Sequence, residues 1–243
     1  IKGGSVCYGG GVAVVYGGQF IMDSGTIKDC YAESDYLDYY EPNTCFTAMG
    51  GGVFVSGGSY FRMNGGSISN NHATNMGGGV AVAISYEEIA NSGSYGTLKS
   101  SAEILGGKVE ENQAKKGAGL FASGYYYAFA DAICAATPAA GATKNPGLHI
   151  KNAQIQDNTA DAADGMGGGV LVVALKSPAA ASLENTTVKG NKATTGAGIA
   201  SYESWTNLSI KGCTVTENTA NKYGGGFSAE SNTGGGKTTI TDT

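Results

Sequence analysis

The 243-residue chain is short of several things, and each shortage removes a class of function. It holds only 4 prolines, 14% charged residues and a single arginine, Arg62, and its net charge is −5. A nucleic-acid binder needs a basic stripe to neutralise phosphates. None is present, so nucleic acid is set aside as a partner. No apolar run approaches the roughly 18 residues a membrane-crossing helix requires, so no membrane insertion is expected of this segment. The cysteines Cys7, Cys30, Cys45, Cys134 and Cys213 form no Cys-x-x-Cys pair and no metal-ligand spacing. Their odd number leaves at least one thiol unpaired within the chain. Small buried hydrophobes are the leading reading, with a Cys30–Cys45 bridge across a loop as the alternative.

Glycine is the opposite case, with 41 copies. They lack the period of three that collagen needs, while tyrosine, valine and isoleucine are too plentiful for a disordered linker. Regular β-structure with tight turns fits this composition.

A repeat organises the chain. Its clearest copy runs Tyr60-Phe61-Arg62-Met63-Asn64-Gly65-Gly66-Ser67-Ile68-Ser69-Asn70-Asn71-His72-Ala73, then Gly77-Gly78-Gly79-Val80-Ala81-Val82. A first strand recurs as Phe20/Met22, Phe61/Met63, Ala102/Ile104, Leu148/Ile150, Ala181/Leu183 and Leu208/Ile210, with Thr238/Ile240 opening a seventh copy. A second strand is marked by Ile27, Ile68, Val109, Ile155, Val188 and Val215. Three residues later stands Asn71, Asn112, Asn158, Asn191 or Asn218, with Cys30 in the first copy, and an alanine follows two residues on. A third strand opens behind each Gly-Gly-Gly or Gly-Ala-Gly.

Alternation places every second side chain inside, and the polar Arg62, Glu103, His149, Ser182 and Ser209 fall between the inward positions. The shortest repeat is 27 residues, from Ala193 to Ala220. That suits three short strands and three turns, and no helical stripe is seen. The predicted fold is therefore all-β: a right-handed, single-stranded parallel β-helix of about six complete coils. At about 4.8 Å per coil the rod is roughly 30 Å long. Residues 1–243 form one such domain, and the partial coils at Lys2–Cys7 and Lys237–Thr243 predict a fragment whose flanking regions continue the stack.

The asparagine row is expected to be structural, an amide ladder at a coil corner that satisfies buried polar groups. The glycines are expected to serve the turns; without a following helix they do not make a phosphate-binding loop. Ligand binding belongs in the insertions, which lengthen turns without disturbing the stack. The stretch Glu33–Met49 carries Tyr36, Tyr39 and Tyr40. From about Ala83 to Ser101 come Tyr86 and Tyr95, and the longest insertion, to about Gly147, holds Tyr125, Tyr126, Tyr127 and Phe129. The last two leave the same corner of adjacent coils. Tyrosine gives large, rigid, amphipathic contacts, so these loops are the candidate site for a glycan or protein.

The outward third-strand positions Ala13, Phe54, Ala81, Phe121, Leu171, Ala200 and Ser228 are unusually apolar for a solvent face. Two readings stay open: a satellite core under the loops, or a partner-binding surface. No cofactor is expected, with calcium at Glu33, Asp35, Asp38 and Glu41 the one alternative to a solvated acidic loop. Asp161 and Asp164 are weighed the same way.

The Asn-x-Ala…Gly-Gly-Gly-Val pattern, as in Asn71-His72-Ala73…Gly77-Gly78-Gly79-Val80, resembles repeats of bacterial surface β-helix proteins, including the chlamydial polymorphic membrane proteins. The phrase from Phe61 to Asn71 is similar to large cell-wall proteins of anaerobic gut bacteria. The resemblance spans nearly the whole chain and implies an extracellular, surface-displayed or secreted adhesin. Because the pectin-lyase-like fold also hosts enzymes, polysaccharide lyase or glycoside hydrolase is one alternative and a passive stalk another. Either enzyme needs clustered carboxylates. Outward Arg62, Glu103, His149, Lys108, Glu110 and Lys189 look scattered, Glu111 and Asp157 come nearest to a carboxylate pair, and neither His72 nor His149 shows an evident serine or cysteine partner.

Overall fold

The computed structural model describes residues 1–33, 48–83, 100–123, 147–173, 181–202, 206–230 and 236–243. Among them there is no helix; all regular structure is short β-strand. One turn of the chain reads Val53–Val55, Tyr60–Met63, Ser67–Ser69 and His72–Met76, and Val80–Val82 then begins the next. Equivalent strands of successive turns pair in parallel and in register, giving four sheets of stacked strands, the arrangement of a parallel β-helix. We name them I to IV in the order just given. Sheets I, II and IV have seven strands and sheet III six.

Each turn thus has four strands where the sequence pattern suggested three. The Asn-x-Ala motif does not end the second strand but leads into a fourth. The cause is a corner of one residue. Asp29, Asn70, Glu111, Asp157 and Glu217 all adopt left-handed backbone with φ of 52–57°, immediately before the Cys30/Asn71/Asn112 column. A single such residue turns the chain and offsets the inward positions by one, from Ile68 to Asn71 and Ala73, and in these five turns no glycine or proline marks it.

The main core lies between the sheets. Phe61, Met63, Ile68, Val80, Val82, Ile104, Val109, Leu120, Ile150 and Ile155 belong to one continuous buried cluster. Phe20 and Phe61 stack in it with ring centroids 5.6 Å apart. On the inner side of sheet IV a row of alanines, Ala73, Ala114 and Ala160 among them, forms a smaller cluster of its own, and the glycine corner presses close there: a Cβ on Gly78 would meet the Gln113 carbonyl oxygen at 2.3 Å. A Cβ on Gly79 would meet the Gly119 carbonyl oxygen at 2.5 Å and the Asn112 amide nitrogen at 3.0 Å. Gly77, with φ of 65°, turns the chain toward that contact. Glycine and asparagine rows are therefore one device, since the missing side chain makes room for the amide.

Sheet I is buried on both faces through its middle strands, whereas its end strands Val12–Val14 and Phe227–Glu230 are not, and Ala13 is exposed. Its outward Phe54, Ala81, Phe121, Leu171 and Ala200 pack with Met49, Met76 and Met166 in a second cluster, flanked by half-buried Tyr8, Val15 and Tyr202. Phe54 and Phe121 are each only 1% exposed. Of the two readings of these residues, the exposed partner-binding surface is corrected: they are core. Near-continuous apolar strands such as Val170-Leu171-Val172-Val173 are what double-sided burial requires.

Candidate functional site

The five asparagines form a hydrogen-bonded series. Each amide nitrogen donates to the next Oδ1 along the stack, from Asn71 through Asn112, Asn158 and Asn191 to Asn218, at 2.9–3.0 Å. The same nitrogens donate to the carbonyls of Ile27, Ile68, Val109, Ile155 and Val188 one turn back. The backbone N–H of each of the first four donates forward as well. In Asn71, Asn112, Asn158 and Asn191 both amide protons and the oxygen are thereby occupied inside the protein, leaving these side chains nothing to offer a ligand. Asn218 ends the column, with Val188 as the one acceptor of its amide among the described residues. Cys30 heads the column, its N–H donating to Asn71 Oδ1 and its thiol to the Lys28 carbonyl at 3.1 Å. It is a buried free cysteine; Cys45, the other half of the alternative bridge, lies outside the described residues.

The Tyr-rich candidates Tyr36, Tyr39, Tyr40, Tyr86, Tyr95, Tyr125, Tyr126, Tyr127 and Phe129 lie outside the described residues, as do Asp35, Asp38 and Glu41. The strands that flank them are described, and they fix where these segments join the scaffold. Residues 84–99 and 124–146 both run from sheet I to sheet II, and the flanking strands of the two turns are paired with each other. Residues 174–180, 203–205 and 231–235 bridge the same two sheets in later turns. The outward face of sheet II borders that corner.

A side-chain network occupies that face. Tyr60 OH donates to Glu103 Oε2 at 2.5 Å, Arg62 donates to the same oxygen from Nε at 3.0 Å, and Arg62 Nη2 forms an ion pair with it at 2.9 Å. The guanidinium also lies over the Tyr60 ring, 5.3 Å from its centroid. Hydrogen bonds from Tyr60 and Arg62 hold the Glu103 carboxyl below its ordinary range against the opposing effect of burial, while burial and the neighbouring carboxylate raise the Tyr60 phenol. One strand further, His149 pairs in register with Glu103, and its Nδ1 is 2.9 Å from Ser182 Oγ on the strand beyond.

Two expectations are corrected here. Arg62, Glu103 and His149 are not scattered but stand side by side, and His149 does have a serine partner. The signal was present in the sequence: all four occupy the same position of the first strand in consecutive turns. Only the pairing of successive turns turns a column of letters into neighbours.

Serine, histidine and glutamate in a row suggest a nucleophilic relay, but the chemistry is incomplete. Acyl transfer needs donors aimed at a developing oxyanion, whereas strand N–H groups lie in the plane of the sheet and are committed to the ladder. Glu111 and Asp157 sit in the left-handed corner, and Asp157 Oδ1 points toward Gly190. Asp161 and Asp164 accept from Gln113 and Lys116 at 2.7 and 2.6 Å. Among the described residues no three His, Cys, Asp or Glu side chains converge as metal ligands.

Comparison with known proteins adds no relative: no protein-family model, no curated protein and no solved structure matches the chain.

Proposed function

We infer that the chain is an extracellular bacterial surface module, adhesin-like, that binds a glycan or protein on a right-handed β-helix of about six coils braced by its asparagine ladder. The observation that carries this reading is positional. The segments bearing Tyr86, Tyr95, Tyr125, Tyr126, Tyr127 and Phe129 join the scaffold at one corner, beside the polar row of sheet II. Variable segments on a rigid stack are the usual arrangement of a binding surface. The scaffold itself is braced on every turn by ladder hydrogen bonds, which keeps the ordering cost of binding low.

The test is capture on arrays of surface glycans and matrix proteins, comparing the intact chain with a Tyr125/Tyr126/Tyr127→Ala triple variant. Saturable binding that falls at least about tenfold in the variant supports the reading; that is the loss expected from removing aromatic anchors. Binding to nothing on either array leaves a passive stalk as the better account. Release of new chain ends from a polysaccharide overturns it in favour of a lyase or hydrolase.

A further inference from the structure

The sheet II row distributes its hydrogen bonds unevenly. Glu103 Oε2 receives both hydrogen bonds that reach this carboxylate and the closest approach of the Arg62 guanidinium, and among the described residues nothing bonds Oε1. Two donors and the guanidinium charge on one oxygen fix the rotation of the group, keep it ionised, and leave the second oxygen as an acceptor of set direction. His149 engages Ser182 through Nδ1, and among the described residues nothing meets Nε2. Glu103 and His149 are register partners on adjacent strands, about 4.8 Å apart along the stack. Both are half-buried on a face that is open enough to reach.

We propose that Glu103 Oε1 and His149 Nε2 together bind two neighbouring hydroxyls of an uncharged sugar. One hydroxyl donates to the carboxylate and the next engages the imidazole. A hydroxyl both donates and accepts, so either tautomer of His149 is served. Charge selects the class of ligand. An ionised carboxylate repels sulfated, phosphorylated or carboxylated sugars, and Arg62, the adjacent cation, already pairs with Glu103. A metal ion is the competing occupant, but a hard cation wants six to eight oxygens, and among the described residues no convergent set of ligands surrounds this pair. This site rests on the binding reading above and sharpens it to a ligand class and a face.

The experiment is affinity electrophoresis of the wild type, Glu103→Gln, His149→Ala and the Tyr125/Tyr126/Tyr127→Ala variant. The gels contain dextran, mannan or galactan as neutral probes and polygalacturonate as an acidic one. Thermal melts check the fold of each variant. The expected result is retardation of the wild type by a neutral polymer, and a weakening of about 10- to 100-fold in both Glu103→Gln and His149→Ala. Retardation unchanged in those two variants overturns the site; if the tyrosine variant alone loses it, the module still binds sugar, elsewhere. Retardation by polygalacturonate only, or by no polymer, also overturns the site, and binding on the protein array then decides the broader reading separately. The protein has two histidines, which supplies a measurement free of mutation: the ring resonance of His149 should shift on adding the neutral polymer's oligosaccharide while that of His72 stays. An unmoved His149 signal overturns the proposal.

Discussion

Sheets I and II run side by side for seven strands, share one core and differ in what they turn outward. Sheet I shows Phe54, Ala81, Phe121 and Leu171, and all of them are buried in a second cluster. Sheet II shows Arg62, Glu103, His149 and Ser182, polar and partly exposed. Inward residues are interchangeable between the two: Val53 and Val55 on one, Phe61 and Met63 on the other, all fully buried. In a stacked scaffold, then, the inward half of each strand specifies the coil, and the outward half decides whether a face is structural or available for contact.

Substituting a charge at outward positions breaks this comparison most sharply. Leu171→Asp should cost more than about 4 kcal/mol, because an unpaired carboxylate would sit in a dry cluster. Ser209→Asp, exposed on sheet II, should stay within about 0.5 kcal/mol. Denaturant midpoints of the two variants read the difference. Equal, small losses would mean the second cluster is not a core at all.

The asparagine column provides the next largest effect. Asn112→Ala strips the partner from the Asn71 N–H, from the Ile68 carbonyl and from the neighbouring amides. Leaving buried groups unpaired should cost about 2–4 kcal/mol in total. Asn64→Ala removes an amide that donates only to Asp23 at an exposed position, and a loss of no more than about 0.5 kcal/mol is expected there. A thermal melt separates these outcomes. Comparable shifts would show that the column contributes no more than a surface contact does.

Much of this architecture was legible in the residues, and the illegible part has physical causes. Alternation identified the inward members of sheets I to III, because a strand's period of two is imposed by its backbone. The fourth strand was hidden because its turn is made by one left-handed residue and its inward side chain is alanine, which carries little apolar signal. Phe54 and Phe121 were visible as outward and apolar, but periodicity could not say whether anything packed on them. The sheet II site failed to appear for a different reason: Arg62, Glu103, His149 and Ser182 are 33 to 46 residues apart along the chain and meet only through stacking. The tyrosine loops are the reverse case, conspicuous in composition and located here only by the strands on either side.

Acid sharpens the contrast between paired and unpaired sheet II groups. Glu103 has its folded pKa depressed by Tyr60 and Arg62. Its stabilisation is fully present above the unfolded value of about 4.3 and is lost as pH falls through the lower folded value. Glu103→Gln keeps an oxygen for the same donors but not the charge, so at neutral pH it should be less stable by about 0.5–1 kcal/mol. That gap should begin to shrink as pH falls below the unfolded value and close once pH has passed the lower folded value, where the wild-type carboxyl is also neutral. Urea titrations at a series of pH values measure it. A gap that persists unchanged in acid would mean that shape, not charge, holds the network together.

The smallest effect addresses the carboxylates that most resemble a catalytic pair. Glu111 is exposed, with φ of 57°, and stands in the corner column where Gly190 occupies its own turn at φ of 67°. A left-handed backbone costs an L-residue about 1–2 kcal/mol, while glycine carries a larger unfolded-state entropy of about 0.5–1 kcal/mol. Glu111→Gly should therefore be neutral or stabilise the fold by up to about 1 kcal/mol, with ligand capture unchanged. Gly190→Ala should do the opposite, because its Cβ would run into Asp157 Oδ1 as well as adopt the strained conformation. If Glu111→Gly instead weakens binding or abolishes a polysaccharide-cleaving activity while the fold holds, the corner acids do chemistry as well as turn the chain. Sheet II would then lose its claim to be the face that meets the ligand.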